Sequence, residues 1–384
     1  MKFDVIVTDC ETKHGYEIAK SLAERGLKVK AHFNKKLTPF YFSRILRHKV
    51  CFQFKAVIDV DRLVGQLEKD QPDVLIPVSN KSVYLVSENR EILTTKTRFL
   101  LPEKEKVRLA QNKRKTFKYA ESINILCPKT IYDTSDDLSK ISERLSELSF
   151  PVVLKFVNVG ETGVKYCNSL KEVEEILTGY GYKEGNIQPP VIQEYILGHG
   201  VGYYGLYKNG ECIYDYTHRR IHEYPVTGGS STFAVSTNNK ELKKIGRKIL
   251  TSLEWNGVAM IEFKETAEGE LVLMEINPKF WGSYALSEKI GLSIAWDYYN
   301  LAKGKKVETK EYKSGIAYKW IFNDWLYQRD TLLSKKNIAK IDGDIVKVIH
   351  NDISQKDIIV TFLKSIDGFV RLITKKINPH SISS

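Results

Sequence analysis

Two glutamates in neighbouring apolar runs are the residues of this chain best suited to chemistry. Glu262 lies within 258–264 and Glu275 within 271–277, and the residues between these runs include the glycine and charges of a hairpin turn. If the runs pair symmetrically, Glu262 lies opposite Glu275, and Asn277 follows on the same face. Like charges opposite each other destabilise a sheet, so a cation is expected between them. Two carboxylates and an amide oxygen suit Mg²⁺; the alternative is a hairpin that exposes two glutamates to water.

Composition and charge narrow the class of protein. The 384 residues are 42% hydrophobic and 28% charged, which is typical of a globular protein of two or three domains. No apolar stretch approaches the roughly 18 residues of a membrane span, and the first residues do not have the pattern of a signal peptide. Five scattered cysteines without CxxC spacing predict reduced thiols in a cytoplasmic protein. The formal net charge of +12 favours an anionic partner, either a nucleotide, a polyanion or a membrane surface.

The first hundred residues alternate between strand and helix patterns. Apolar runs at 2–8 and 27–33 flank a helical spacing at 17–25, which predicts a βαβ unit and a parallel sheet. Further strands are expected at 57–60 and 73–78, with a helix between them. The first unit lacks GxGxxG, so the sequence does not support a dinucleotide site there.

From Glu103 the pattern changes. A helix is expected over 103–122, a strand ends at Lys155, and a glycine-bearing loop follows at 158–163. The later strands are joined by hairpins and accompanied by helices, which predicts an α+β catalytic portion. His199, His218 and His222 show no zinc-binding spacing, and Phe280-Trp281 is expected to be core packing.

Residues 305–384 are rich in lysine and end in a predicted amphipathic helix. One stripe of that helix carries apolar side chains at Ile358, Phe362, Ile366, Phe369, Ile373 and Ile377. Lys375-Lys376 follow at its basic end. We expect the stripe to pack on the protein's own core; the alternatives are a dimer contact or weak docking on an anionic membrane surface.

Four features occur in a fixed order along the chain. Asn112-Lys113 opens a helix, Lys155 ends a strand before the glycine-bearing loop, a strand leads into 193–198, and the acidic hairpin follows. This order, together with Glu275-Ile-Asn-Pro278, resembles the ATP-grasp superfamily, which includes D-alanine–D-alanine ligase, biotin carboxylase and the carbamoyl-phosphate synthetase large chain. The resemblance covers about residues 1–300. It is closest to carboxylate–amine ligase-like members, through segments similar to 218–232 and 274–283.

The resemblance implies a nucleotide site with named contacts. Lys155 and Lys113 would neutralise the phosphates, and Gly160 and Gly163 would lie in the loop that closes over them. The backbone of Glu194, Tyr195 and Ile196 would contact the edge of adenine. The residues at 197–202 include no acid for the ribose. Glu262, Glu275 and Asn277 would hold one or two ions of Mg²⁺, or of Mn²⁺ in its place.

The resemblance also implies a reaction. A carboxylate attacks the γ-phosphorus of ATP, and an amine then displaces phosphate from the acylphosphate. Arg220 and Lys279 would assist, Arg220 by gripping a phosphate or carboxylate. Small-molecule carboxylates and amines are the expected partners, and no nucleic acid is expected. Two alternatives remain: carboxylation or carbamoyl-phosphate chemistry, and a non-catalytic nucleotide-binding protein.

The predicted fold class is therefore α/β and α+β. A parallel α/β domain of the pre-ATP-grasp type is expected over 1–102, followed by a two-lobed ATP-grasp domain over 103–304 whose lid lobe covers about 116–195. The basic extension with the amphipathic helix occupies 305–384.

Overall fold

The structure is a computed structural model that describes residues 2–54, 60–134, 138–156, 163–179, 189–225, 229–334, 345–350 and 355–374. The chain forms two compact units. Unit 1 comprises Met1–Glu103, Gly202–Met260 and Pro278–Ser384, and unit 2 comprises Lys104–Val201 and Ile261–Asn277. Both units are discontinuous in sequence, so they do not test the linear boundaries predicted after residues 102 and 304, which stay predictions.

The secondary structure alternates in type along the chain. The strands are β1 Val5–Val7, β2 Val29–Phe33, β3 His48–Cys51, β4 Val74–Ile76, β5 Thr130–Ile131, β6 Val152–Lys155, β7 Val164–Cys167, β8 Val191–Glu194, β9 His199–Lys208, β10 Glu211–Tyr224, β11 Ser230–Thr237, β12 Gly257–Glu265, β13 Leu271–Asn277, β14 Ile316–Lys319 and β15 Lys347–His350. The helices are α1 Lys13–Glu24, α2 Val60–Asp70, α3 Asn80–Glu88, α4 Arg90–Thr94, α5 Lys104–Gln111, α6 Lys113–Ser122, α7 Leu138–Leu145, α8 Leu170–Gly179, α9 Lys240–Ser252, α10 Tyr284–Lys289, α11 Ile294–Ala302, α12 Ile321–Leu333 and α13 Ile358–Thr374.

Unit 1 begins with the parallel sheet that the sequence predicts. The strand order is β3-β2-β1-β4, and β1 pairs in parallel with both β2 and β4. Helix α1 connects β1 to β2, so the expected βαβ opening is confirmed. Of the strand expected at 57–60, residues 57–59 lie outside the described residues and Val60 begins α2.

A buried carboxylate fixes the carboxyl end of β1. Asp9 accepts hydrogen bonds from the hydroxyls of Thr8 (2.5 Å) and Ser82 (2.6 Å) and from the backbone N–H of Ser79 (3.1 Å). The amide of Asn34 also donates to it, at 2.9 Å. Burial raises the pKa of Asp9, but the hydrogen bonds from Ser82, Thr8 and Ser79, together with the nearby His32, outweigh burial and hold that pKa below its usual value. The charged form of Asp9 therefore ties β1 to the segment that follows β4.

The second sheet of unit 1 contains the longer strands. The part of this seven-stranded sheet that belongs to unit 1 has the order β12-β9-β10-β11-β14-β15. In it β11 is antiparallel to both β10 and β14, and β15 is parallel to β14. Phe280 and Trp281 are completely or almost completely buried in the core of unit 1, where Trp281 lies 4.7 Å from Tyr204 between ring centroids. The prediction that this pair serves core packing is confirmed.

Unit 2 contains a separate antiparallel sheet. The order is β5-β8-β6-β7, and Lys155 at the end of β6 pairs with Val191 on one side and Val164 on the other. The helix expected over 103–122 is broken at Asn112 into α5 and α6. The chain enters unit 2 again within β12, and β13 pairs with β12 there.

The C-terminal helix α13 lies in unit 1 with its apolar stripe facing outward. Ile358, Phe362, Phe369 and Ile373 are between 57% and 70% exposed, and Ile366 is 45% exposed. The expectation that the stripe packs on the protein's own core is therefore wrong for these residues.

The buried side of α13 is its other face. Val360 and Gly368 are buried, and a Cβ at Gly368 would lie 2.9 Å from the Cβ of Phe322 in α12, so glycine permits the close approach of the two helices. Ile377 and Lys375-Lys376 lie outside the described residues, and a dimer or membrane contact stays a prediction. Among the helices that the structure describes, none combines the length and apolarity needed to cross a bilayer.

Candidate functional site

The acidic hairpin of β12 and β13 carries a connected set of polar side chains. Glu262 and Glu275 are half-buried and Asn277 is buried. The Nδ2 of Asn277 donates to Oε1 of Glu275 at 2.5 Å. The Nζ of Lys113 donates to the other oxygen, Oε2 of Glu275. Lys113 thus places a positive charge on Glu275. A metal ion between the two carboxylates, and the placement of Glu262 directly opposite Glu275, stay predictions.

The start of α6 fixes the position of Lys113. Asn112 is the N-cap, and its side-chain oxygen accepts a hydrogen bond from the backbone N–H of Lys115 at 3.0 Å. Lys113 is the first residue of the helix, so its side chain projects from an anchored turn. An asparagine directly before a helical run is an N-cap signal that the sequence already contained.

Lys155 is held at the end of β6 with only 7% of its surface exposed. Its Nζ lies 5.0 Å from the centroid of the fully buried Phe117 ring. Phe117 follows Lys113 by four residues in α6, and residues four apart lie on the same side of a helix. One face of α6 therefore contributes both the partner of Glu275 and the ring beside Lys155, a role for Phe117 that the sequence analysis missed.

The charged side chains of this part of unit 2 affect the pKa of Lys155. Burial and the neighbouring charge of Lys113 lower the pKa of Lys155 to about 7, against the opposing effect of Glu275 and Glu262. The ammonium groups of Lys155 and Lys113 together favour the binding of an anion, because an anion would compensate both positive charges. The structure thus brings together five predicted site residues: Lys113, Lys155, Glu262, Glu275 and Asn277.

The end of β8 adjoins β6 in the same sheet. Glu194 pairs with Val152, its backbone N–H donates to the carbonyl of Lys129 at 3.0 Å, and its Oε1 accepts from the N–H of Lys129 at 2.7 Å. The N–H of Glu194 is therefore used inside unit 2. Tyr195 is 42% exposed, with its ring edge-on to Tyr166.

The histidines of unit 1 take part in packing contacts. His218 is hydrogen-bonded to the hydroxyl of Tyr204, and His222 lies 2.8 Å from Asp324 and stacks on Tyr327. In the part of the chain that the structure describes, no group of three or more His, Cys, Asp or Glu side chains could hold a metal ion. The predicted metal ligands, Glu262, Glu275 and Asn277, are two carboxylates and one amide, and their role stays a prediction.

Solved enzymes share this architecture. The biotin carboxylase domain of 2-oxoglutarate carboxylase from Hydrogenobacter thermophilus, solved with MgADP and bicarbonate, is 12% identical with a TM-score of 0.68, covering 83% of this chain and 74% of that one. N5-carboxyaminoimidazole synthase from Aspergillus clavatus, solved with ADP and 5-aminoimidazole ribonucleotide, is 14% identical with a TM-score of 0.62, covering 80% of this chain and 78% of that one. Biotin carboxylase from Campylobacter jejuni is 14% identical with a TM-score of 0.64, covering 82% of this chain and 74% of that one.

The chain has the ATP-grasp fold. At 12–14% identity the likeness concerns the fold alone. Neither a protein-family model nor a curated protein sequence matches the chain.

The loop that the ATP-grasp resemblance places over the phosphates is described only at its end. Gly160 lies outside the described residues. The carbonyl of Gly163 accepts a hydrogen bond from the N–H of Phe156 at 3.4 Å, and a Cβ at Gly163 would lie 3.0 Å from the Phe156 ring. A larger residue there would require that ring to move. The roles of Gly160 and Gly163, and the adenine contact of Glu194, Tyr195 and Ile196, stay predictions.

The two residues that the ATP-grasp resemblance implies in catalysis, Arg220 and Lys279, lie in unit 1. Arg220 is half-buried in β10, donates to the carbonyl of Gly229 at 3.4 Å and lies 3.7 Å from Glu223. Lys279 is half-buried, two residues after the end of unit 2. Burial and then the charge of Lys279 lower the pKa of His14. The catalytic roles of Arg220 and Lys279 stay predictions.

Proposed function

We propose that this protein is an ATP- and Mg²⁺-dependent ligase that joins a carboxylate to an amine through an acylphosphate. One observation carries the proposal: Lys113 and Lys155, from two separate elements of unit 2, converge with the carboxylates of the β12–β13 hairpin. Paired cations beside paired carboxylates suit a polyphosphate that binds with its metal ion. The ATP-grasp fold supports the same assignment.

The donor set of the hairpin fits a hard divalent cation. Glu262, Glu275 and Asn277 offer oxygen atoms only, and Mg²⁺ takes a few such ligands while leaving other positions to water and phosphate oxygens. Lys113 holds Glu275, and Asn277 holds its other oxygen, so the carboxylate is oriented in advance. When bound, the ion would neutralise charge on the phosphate oxygens.

The chemistry needs charge compensation and positioning more than a protein nucleophile. An oxygen of the substrate carboxylate forms a bond to the γ-phosphorus of ATP, and the bond from that phosphorus to ADP breaks. The amine nitrogen then bonds to the acyl carbon, inorganic phosphate leaves with the electrons of the broken C–O bond, and the amine loses a proton. Lys155 and Lys113 of unit 2 would bind the phosphates throughout. The assistance that the ATP-grasp resemblance implies for Arg220 and Lys279 stays a prediction.

A substrate panel tests the proposal. ADP release is measured with ATP, MgCl₂ and pairs drawn from amino acids, hydroxy acids and small amines, each acid with and without the amine. ADP that forms only when both are present, together with an amide product by mass spectrometry, supports the ligase. ATP binding by calorimetry without ADP release from any pair would support a non-catalytic nucleotide-binding protein.

Carboxylation is the second candidate, and the neighbouring structures favour it. The Hydrogenobacter thermophilus domain was solved with bicarbonate, and the Aspergillus clavatus enzyme with 5-aminoimidazole ribonucleotide. Bicarbonate is itself an acid whose oxygen can attack the γ-phosphorus, so the same site would serve. ADP release that depends on bicarbonate and on no other carboxylate in the panel would select this candidate.

A further inference from the structure

Helix α13 of unit 1 has a continuous apolar face that none of the features above uses. Five of the 17 residues of this helix form the face, and each of them is at least 45% exposed: Ile358, Phe362, Ile366, Phe369 and Ile373. Their spacing of three or four residues places them on one side of a helix about 25 Å long. An exposed apolar face of this extent is typical of a surface that binds a partner or a membrane.

The segment 35–47 of the same unit packs beside α13. The hydroxyl of Ser43 donates to the buried carboxylate of Asp357, directly before the helix, and the backbone N–H of Arg44 donates to it at 3.2 Å. The Nζ of Lys364 in α13 lies 5.7 Å from the ring centroid of Phe40. The two segments are therefore neighbours in the fold although more than 300 residues separate them in sequence.

This neighbouring segment is basic, and it also exposes apolar side chains. Residues 35–47 contain four Lys or Arg and no Asp or Glu, and all four basic residues are exposed: Lys35, Lys36, Arg44 and Arg47. Leu37 is 89% exposed and Phe42 is 51% exposed. Exposed apolar and basic side chains occur together on proteins that bind an anionic membrane surface.

The acidic residues around α13 do not cancel this charge. Asp324 and Asp330 of α12 and Asp357 are buried, so their charges are not presented at the surface. Two further carboxylates lie close to basic side chains, Asp367 at 2.8 Å from Arg371 and Glu24 at 3.4 Å from Lys356. Near the start of the segment, Glu11 is half-buried and accepts hydrogen bonds from Asn34. In the described parts of 35–47, α12 and 355–374, every charged residue that is exposed is basic: Lys35, Lys36, Arg44, Arg47, Lys356 and Arg371.

This charge distinguishes a membrane from a second copy of the chain. A dimer with twofold symmetry places the same face of both chains together. It would bring these positive charges close to each other, and like charges across an interface are unfavourable. The phosphate groups of an anionic bilayer would compensate the charges, while the apolar boundary below them would accept the exposed rings and aliphatic side chains.

We propose that α13 and the segment 35–47 bind unit 1 to the surface of an anionic membrane. The apolar face of α13 would enter the boundary between headgroups and acyl chains to a depth of about 5–10 Å. The basic residues attract the headgroups over a Debye length of about 8–10 Å, so they need not enter the same layer. Attachment through one apolar element alone is marginal, and a set of basic residues strengthens it. This inference goes beyond the proposed ligase reaction and does not depend on it.

Vesicle flotation with the full-length protein tests this inference. The protein is mixed with vesicles of phosphatidylcholine alone, or of equal parts phosphatidylcholine and phosphatidylglycerol, and the floating fraction is measured over a range of lipid concentrations. Binding to the anionic vesicles should be at least about tenfold tighter than to the neutral ones. Added NaCl should weaken it, because salt screens the attraction.

Two pairs of variants decide whether these residues make the contact. The double variant Phe362→Ser/Phe369→Ser should bind anionic vesicles about tenfold more weakly or less, and Ile92→Ser is its control, because Ile92 is an exposed apolar residue of α4. The double variant Lys35→Gln/Lys36→Gln should also lose about tenfold in binding. Its control is Lys244→Gln/Lys248→Gln, which removes the same charge from two exposed lysines of α9.

Three results would overturn the proposal. The first is no binding, or equal binding of wild type to neutral and anionic vesicles. The second is equal binding of each double variant and its control. The third comes from sedimentation velocity without lipid: a dimer of the wild type that dissociates in Phe362→Ser/Phe369→Ser would assign the apolar face to a second copy of the chain.

Discussion

The ammonium group of Lys113 donates a hydrogen bond to the carboxylate of Glu275, although 162 residues separate them in sequence. A metal ion that binds Glu275 must share or displace this interaction. The phosphates of a nucleotide offer Lys113 a replacement partner. If unit 2 binds a metal ion and phosphates as proposed, this pair would couple the two binding events, and the first three predictions test that coupling.

Glu275→Gln should reduce ADP formation by at least about 100-fold, because it removes a metal-binding charge and the partner of Lys113 while keeping the side chain's size. ADP release is measured with the best substrate pair over a range of MgCl₂ concentrations, and circular dichroism checks the fold. Glu270→Gln is the control, since Glu270 is exposed in the turn of the same hairpin. Near-normal turnover of Glu275→Gln would show that the hairpin has only a structural role.

Lys155→Ala should weaken ATP binding more than Lys113→Ala does. Lys155 is buried at the end of β6, whereas the side chain of Lys113 is 22% exposed and already paired. A charge contact in a less hydrated place contributes more to binding. Calorimetric titration of both variants with MgATP measures the difference, and an unchanged dissociation constant for Lys155→Ala would place Lys155 outside the site.

ATP affinity should depend on pH through Lys155. Its pKa of about 7 means that binding of an anion above pH 7 requires uptake of a proton, so affinity should fall by up to about tenfold per pH unit there. Below pH 7 the group is already charged and adds no further gain. Lys155→Arg keeps its charge at every pH tested, so the difference between the two titration series isolates Lys155. Parallel profiles for wild type and Lys155→Arg would contradict this prediction.

Asp9→Asn should lower the free energy of unfolding by about 2–3 kcal/mol, since the neutral amide weakens hydrogen bonds that now go to a charged acceptor. The pKa of Asp9 is lowered in the folded state, so its contribution is present above the unfolded pKa and is lost as pH falls through the folded one. Urea unfolding at pH 7 and pH 3 measures both effects. The exposed Asp61→Asn is the control; an equal, small effect in both variants would show that the Asp9 network contributes little.

The double substitution of Phe362 and Phe369 by serine should change the free energy of unfolding by less than about 1 kcal/mol, because both rings are mostly exposed. Val360→Ser on the buried face of the same helix should cost about 2 kcal/mol or more. Urea unfolding compares the two proteins. A larger loss in the double variant than in Val360→Ser would show that the stripe is covered in solution.

The local parts of this protein follow from the sequence alone. Alternating and helical spacing of apolar residues determines strands and helices over a few residues, and this was enough to predict the parallel sheet of unit 1 and the acidic strands 258–264 and 271–277. The order of Lys113, Lys155 and the Glu275-Ile-Asn-Pro segment along the chain was enough to predict the ATP-grasp fold. The order of motifs can be read from the sequence without knowledge of the tertiary structure.

Tertiary structure decided which side chains meet. Only the packing of α6 against the hairpin and β6 places Lys113 on Glu275 and Phe117 beside Lys155. The spacing of apolar residues in α13 predicted a helix, but it did not predict which face of that helix is buried. In the structure the face with Gly368 packs against α12, and the larger apolar face is exposed. Periodicity depends on neighbours in sequence, whereas burial and charge pairing depend on elements that the fold brings from far along the chain.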